Sequence, residues 1–224
     1  RETFGRRNRV RLPTVSGGSG PRFERHVGIA APFLLCNVDS DVIAPIGPSS
    51  LSGLSAGERA FEPLRYLSDG SENSEFVLNQ EPYRNASILL AGENFGAGSA
   101  PESAVARLMA FGIRVVLAPS FGSDFQSNCV ASGMLAMPLS EEVIVGLADW
   151  AGANPRVGML VDLEQQMIEC SGMEPISFSI DPRVRNKLLL GLNDLDEMLQ
   201  HTENVRALRN EDRKRRPWIY DRQP

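Results

Sequence analysis

Through the middle of the chain, short unbroken apolar runs alternate with stretches whose apolar residues recur every three or four positions. "ASILLAG" (86–92) is a continuous apolar run of the kind found in a strand covered on both faces. "PESAVARLMAFG" (101–112) puts Ala104, Val105, Leu108 and Met109 on one stripe, which predicts a helix stopped at Gly112. "IRVVLAPSF" (113–121) reads as a second buried strand, "FQSNCVASG" (125–133) as a short helix ended by Gly133, and "MLAMPL" (134–139) as a third strand. "SEEVIVGLADWAGANP" (140–155) offers a capping serine and two acids in the first turn, then an amphipathic helix running to Gly152. Strand, helix, strand, helix, strand is the order of a right-handed parallel unit, so the fold class is α/β with a mostly parallel βαβαβ core.

The flanks are less regular. "HVGIAAPFLL" (26–35) predicts a strand, followed by the polar turn "CNVDSDVIAPIGPSS". Residues 46–75 read as a long loop with one short helix in "AFEPLRYL". After residue 157, two β runs are expected, joined by "CSGME" (170–174); a largely helical stretch with a break near Gly191 follows. No internal repeat is visible. The expected organisation is a flexible basic arm at 1–20 ending in "SGGSG", one domain at 21–205 with extra β strands and C-terminal helices, and a basic tail at 206–224.

With 42% hydrophobic and 23% charged residues, a chain of 224 residues can build a sizeable core. No apolar run reaches the roughly 18–20 residues of a membrane helix, and the arm lacks the apolar segment of a secretory signal; an Arg-rich presequence stays open. Charge is uneven. The arm and the tail each carry a net +4, so the body between them carries −13 of the total −5. An acidic body does not suit nucleic acid, and the tails read as solvated ends. Three cysteines (Cys36, Cys129, Cys170) and two histidines (His26, His201) stand far apart, which predicts no metal or iron–sulfur site built by this chain alone. Free thiols suit a cytoplasmic setting.

Ligands of parallel α/β folds sit beyond the carboxyl ends of the strands, and the loop "GENFGAGSAP" (92–101) falls at such an end. Gly92, Gly96 and Gly98 let backbone amides approach a ligand, and Ser99 stands where a helix begins and anions are favoured. Two readings of Ser99 compete. Ser99-Ala-Pro-Glu102 is an S-x-x-E capping box, and a capping serine keeps a lone pair for chemistry. The glycines fit neither G-x-G-x-x-G nor a P-loop, so nucleotide binding is not expected. Asn37, Asp39, Ser40 and Asp41 form a second polar cluster, which reads as Asx turns or, with no third ligand group in sight, a poor cation site.

Taken together, "NVDSDVIAP", "ILLAGENFGAGS", "GIRVVLAPSFGSDFQSN", "FVLNQEPYRNASILLA" and the late "LLLGLNDLDEMLQHTENVRALRN" resemble the small subunit of 3-isopropylmalate dehydratase (isopropylmalate isomerase), over roughly residues 23–212. The resemblance implies an aconitase-type swivelling β/β/α domain, paired with a large subunit that carries a [4Fe–4S] cluster. It implies a hydro-lyase of leucine biosynthesis acting on a small hydroxy diacid. By motif position Ser99 is then the catalytic serine that removes and returns a proton on carbon, with Gly96, Gly98, Asn94 and Asp41 on the substrate side. This chain departs from the family's S-S-R-E-H at Ser99-Ala-Pro-Glu-Ser, so the arginine position is Pro101. After "NVDSDVIAP" no basic residue comes before Arg59, which leaves Arg59 or Arg65 as stand-ins. Three readings follow: a small subunit active on isopropylmalate, a paralogous dehydratase subunit for another hydroxy acid, and a non-catalytic partner.

Overall fold

The apolar runs become strands, and the first of them is divided. In the computed structural model, which describes residues 18–192, 196 and 202–220 apart from residues 19, 48, 50 and 52, β1 (Arg25–Gly28) and β2 (Ala30–Phe33) are separate strands in separate sheets. Sequence reading makes "HVGIAAPFLL" one strand. The chain changes sheets at Ile29, whose carbonyl accepts from the amides of both Ser87 and Ile88 at 3.1 Å and so anchors the crossing point.

The central sheet is parallel, in the order β2, β3 (Ile88–Ala91), β4 (Val115–Ala118), β5 (Leu135–Pro138). Ile88 pairs with Val115 and Val115 with Leu135, so equivalent positions stand side by side across three strands. Side chains of a strand alternate between faces, and the apolar run serves both. Leu89, Ala91, Val116 and Ala118 pack to one side, while Ile88, Leu90, Val115 and Leu117 pack to the other.

Helices α1 (Ser40–Ile43), α3 (Pro101–Phe111) and α4 (Phe125–Ala131) cover the first face. The 46–75 loop crosses the same side and holds the short helix α2 (Glu62–Arg65). Helix α5 (Glu141–Ala153) covers the second face with Ile144, Leu147, Ala148 and Ala151, and Ser140 caps it by accepting from the Val143 amide at 3.4 Å. An antiparallel sheet joins α5 there, in the order β1, β6 (Met159–Asp162), β7 (Met167–Glu169), β8 (Ile176–Ser177). Helix α6 (Pro182–Leu190) is capped by Asp181 and ends at Gly191 in the left-handed region. Helices α7 (Thr202–Arg215) and α8 (Pro217–Tyr220) complete the described chain; His201 and residues 1–17 of the arm lie outside it.

The expected pair of β runs after residue 157 is really three strands. Its first run folds back on itself as the β6–β7 hairpin. "LEQQ" holds no Gly, Pro or Asn to mark a turn. The turn is made instead by Asp162, whose carboxylate accepts from the Gln165 amide at 2.7 Å, and by Gln166 at φ 56°. One polar contact ties the two sheets together, His26 Nε2 to Ser87 Oγ at 2.7 Å.

Two outcomes follow from this packing. Leu89→Ala empties a fully buried site between two neighbouring strands and is expected to cost about 2–5 kcal/mol, read by urea unfolding. Burial, helped by the nearby Arg114 guanidinium, holds the His26 imidazole below its ordinary value. On acidification the folded chain therefore takes up this proton later than the unfolded chain. Its contribution is intact above about pH 6.5 and is lost as pH falls below that value. Urea midpoints at pH 7.5 and 5.5 should show this drop, and His26→Gln should flatten it.

Candidate functional site

Three loops leave the carboxyl ends of β2, β3 and β4, and their backbones continue the parallel pairing after the strands stop. The Asn37 amide donates to the Glu93 carbonyl at 2.8 Å, Gly96 to Val38 at 2.8 Å, and Ser40 to Ala97 at 2.5 Å. On the other side Phe95 donates to Ser120 at 3.1 Å, and Gly122 donates back to Phe95 at 2.9 Å. Side chains complete the frame. Asn94 Nδ2 donates to Asn37 Oδ1 at 2.9 Å, and the Asn94 amide donates to Ser120 Oγ at 2.9 Å. The middle loop is thus held on both flanks, chiefly by main-chain bonds.

Two glycines make the close approach possible. Gly96 has φ 72°, and a Cβ there would enter the ring of Phe125. Phe125 is fully buried, meets Phe95 edge to face at 5.5 Å, and stacks on Phe121 at 5.8 Å. Gly98 has φ 114°, and a Cβ there would lie 2.5 Å from Ser40 Oγ and 2.7 Å from Asp39 Oδ1.

The Asn37–Asp41 cluster behaves as a cap. Asp39 is the N-cap of α1 and accepts from the Asp41 amide at 2.7 Å. Ser40 is fully buried, and its hydroxyl accepts from the Ala100 amide at 3.2 Å, joining α1 to the start of α3. Asp41 is exposed on the first turn of α1. Sequence reading put the emphasis on Asp41. The pair that touches the glycine–serine loop is Asp39 and Ser40, and the signal for it was the Asp-Ser cap preceding an apolar pair.

Ser99 is exposed, and its hydroxyl has no hydrogen-bond partner among the described residues. The capping box expected at Ser99 and Glu102 does not form. The N-cap is Ala100, at φ −128° and ψ 52°, and Pro101 is the first helical residue. A residue before proline is driven out of the helical region, so Ala100 cannot serve as a first turn behind a Ser99 cap. The amides of Gly98 and Ser99 are likewise without partners among the described residues, whereas the Gly96 amide is engaged with Val38. That takes the Gly96 N–H out of any anion-holding role and leaves Gly98 for it. Asn94 is turned to Asn37, at the far end of the loop from Ser99.

Neither stand-in arginine is free for a ligand. Arg65 is 4% exposed, with Nε donating to Asn79 Oδ1 at 2.8 Å and Nη1 to the Glu58 carbonyl at 3.2 Å, and it packs against the Phe111 ring. Arg59 pairs with Glu62 at 3.0 Å and donates to the Gly47 carbonyl at 2.8 Å. Both brace the 46–75 loop.

The thiols are scattered. Cys36 is exposed on the rim, while Cys129 and Cys170 are buried in different cores. Burial pushes the Cys170 thiol up to about 11, and raises Cys129 too. Among the described residues no group of three or more His, Cys, Asp or Glu could hold a metal ion, so an iron–sulfur cluster does not fit within them. A crevice of about 330 Å³ borders the rim between Leu34, Gly92, Glu93, Glu141 and Val145. A larger cavity of about 780 Å³ lies between α4 and α6 and contains none of the glycine–serine loop residues 92–101. The free hydroxyl, not the cavity size, marks the candidate site.

Comparison with known proteins bears on this site. The model of the aconitase C-terminal domain matches residues 21–142. The 3-isopropylmalate dehydratase small subunit of Dinoroseobacter shibae is 40% identical over 201 residues, covering 88% of this chain and 99% of its own. That of Gluconobacter oxydans is 41% identical over 201 residues, with 88% and 95% covered. The crystal structure of 3-isopropylmalate dehydratase from Methanocaldococcus jannaschii superposes with a TM-score of 0.53 at 22% identity, over 83% of this chain and 99% of that one, a likeness of fold. The chain belongs to the aconitase C-terminal domain family, among the 3-isopropylmalate dehydratase small subunits.

Proposed function

We propose that this chain is the small subunit of a 3-isopropylmalate dehydratase, interconverting 2- and 3-isopropylmalate by removal and return of water in leucine biosynthesis. Residues 21–205 form the working domain, and the basic ends at 1–20 and 206–224 are extensions of it. One observation carries the reading: an exposed hydroxyl without a partner, on a loop locked at the carboxyl ends of the parallel strands, in a chain about 40% identical to proteins of that name.

The chain's own part is proton handling. Dehydration removes a hydroxyl from one carbon and a proton from its neighbour, leaving an alkene; hydration on the other side gives the isomer. Ser99 Oγ, as the alkoxide, takes that proton to become the hydroxyl and returns it on hydration, acting as base and then acid. The Gly98 and Ser99 amides, without partners among the described residues, would stabilise that alkoxide before it takes the proton. Asp41 accepts from a substrate hydroxyl at the rim, and Asn94 acts as a positioning residue through Asn37. A large subunit in the cytoplasm completes the enzyme, and its [4Fe–4S] cluster, when bound, supplies the Lewis acid for the departing hydroxyl.

The test is anaerobic reconstitution with a 3-isopropylmalate dehydratase large subunit, followed by alkene absorbance from 2-isopropylmalate. Ser99→Ala should lower kcat about 100-fold or more while the complex still elutes as one species, as expected for loss of a general acid–base group. An unchanged kcat would falsify the role given to Ser99. Absence of turnover in the wild-type complex, with the complex intact, would remove the proposed reaction.

A further inference from the structure

A crevice of about 370 Å³ opens near the amino ends of the parallel strands, at the other end of the sheet from the glycine–serine loop. Its walls include Arg22, Arg25, His26 and Arg114, and no Asp or Glu among the described residues. Three guanidinium groups and an imidazole thus share one opening in a chain whose net charge is −5. Like charges gathered this way repel, and an anion seated between them removes the repulsion.

The donors are held in place. Arg114, the residue before β4, donates from Nη1 to the Met109 and Ile113 carbonyls at 3.1 and 3.0 Å. Its Nε and Nη2 have no partner among the described residues. Arg22 and Arg25 make no hydrogen bond or ion pair among those residues either. Asp162, the register partner of Arg25 on β6, accepts instead from the Gln165 amide at 2.7 Å. The segment that carries Arg22 is anchored on both sides of it. The Gly20 amide donates to the Gly191 carbonyl and the Phe23 amide to the Leu188 carbonyl, each at 2.9 Å. Gly133, at φ 72°, lets Pro21 lie against the turn before β5, since a Cβ there would stand 2.6 Å from the proline ring. The first twenty residues carry five Arg against one Glu, so they have little negative charge to offer this opening.

We infer that the crevice binds a phosphoryl dianion, with Arg22, Arg25 and Arg114 as its ligands. A planar carboxylate is satisfied by one guanidinium fork, whereas donors arriving from three segments match a group with oxygens on several sides. Phe23 and Met109 add an apolar wall beyond the arginines. The same chemistry is offered by free phosphate and by a phosphate monoester. His26 also borders the crevice, so the bound dianion sits beside the His26–Ser87 contact that ties the two sheets together. The site is separate from Ser99, and the inference does not rest on the proposed dehydration.

The test is calorimetric titration of the full chain with inorganic phosphate and, separately, phenyl phosphate, at ionic strength held constant with chloride. One saturable phosphate site per chain is expected, and the His26 ring signals in the proton NMR spectrum should move with the same midpoint. Phenyl phosphate binding severalfold more tightly supports a monoester as the occupant, and equal binding supports free phosphate. The double variant Arg22→Gln/Arg25→Gln changes two exposed side chains that make no polar contact among the described residues. It should weaken phosphate at least tenfold. Arg156→Gln/Arg183→Gln removes the same charge at two exposed positions outside the crevice and should leave binding unchanged. Neither heat nor ring signals that saturate with phosphate overturns the inference. Equal weakening by the two double variants overturns it as well, as does wild-type binding by Arg22→Gln/Arg25→Gln.

Discussion

Everything at the candidate site depends on main-chain pairing that outlives its strands. The Gly96 amide on Val38 and the Ser40 amide on Ala97 carry the β2–β3 register past the last regular residues, and Phe95 does the same toward β4. This pairing demands that the backbone pass Phe125 and Asp39 with no side chain in between, which Gly96 and Gly98 allow. Net hydrogen-bond stabilisation is modest per bond, about 1 kcal/mol, but the bonds act on one loop from both sides and fix its path. A hydroxyl carried by such a loop keeps its place without needing a bond of its own.

The same arrangement separates what is held from what is offered. The bonds that hold the loops are made by Val38, Glu93, Phe95, Ala97 and Ser120 through carbonyl oxygens, and the side chains facing solvent there are mostly acidic or small. In a family of shared fold, the identity of those exposed side chains sets what enters, and the frame does not constrain them.

Much of the architecture was legible from periodicity. Ile88–Ala91, Val115–Ala118 and Leu135–Pro138 are continuous apolar runs, and each is a central parallel strand serving two cores; the glycine stops at 112 and 191 also fall where expected. Three features were not legible, each for a local reason. Gly28 and Ile29 look like the interior of a strand, and the change of sheet there is imposed by Ser87 and Ile88 from far along the chain. The "LEQQ" turn depends on a non-glycine residue in the left-handed region, stabilised by an aspartate just before it. The apparent capping box has the right letters in the right spacing, but Pro101 restricts the residue that the box would need to be helical. At the site, Ser99 and its glycines stood out in the sequence, whereas the contact of Asp39 and Ser40 with Gly98 and Ala100 joins segments some 60 residues apart and needed the fold to appear.

Pro101 ties together two properties that are usually adjusted separately. Its ring bars Ala100 from helical geometry, which keeps the Ser99 oxygen out of helix capping, and the same ring removes a donor from the entrance to α3. Exposure of the Ser99 hydroxyl and the donors at the entrance to α3 are therefore set by one residue. Replacing this one residue would therefore change both the freedom of that hydroxyl and the donors beside it in a single step.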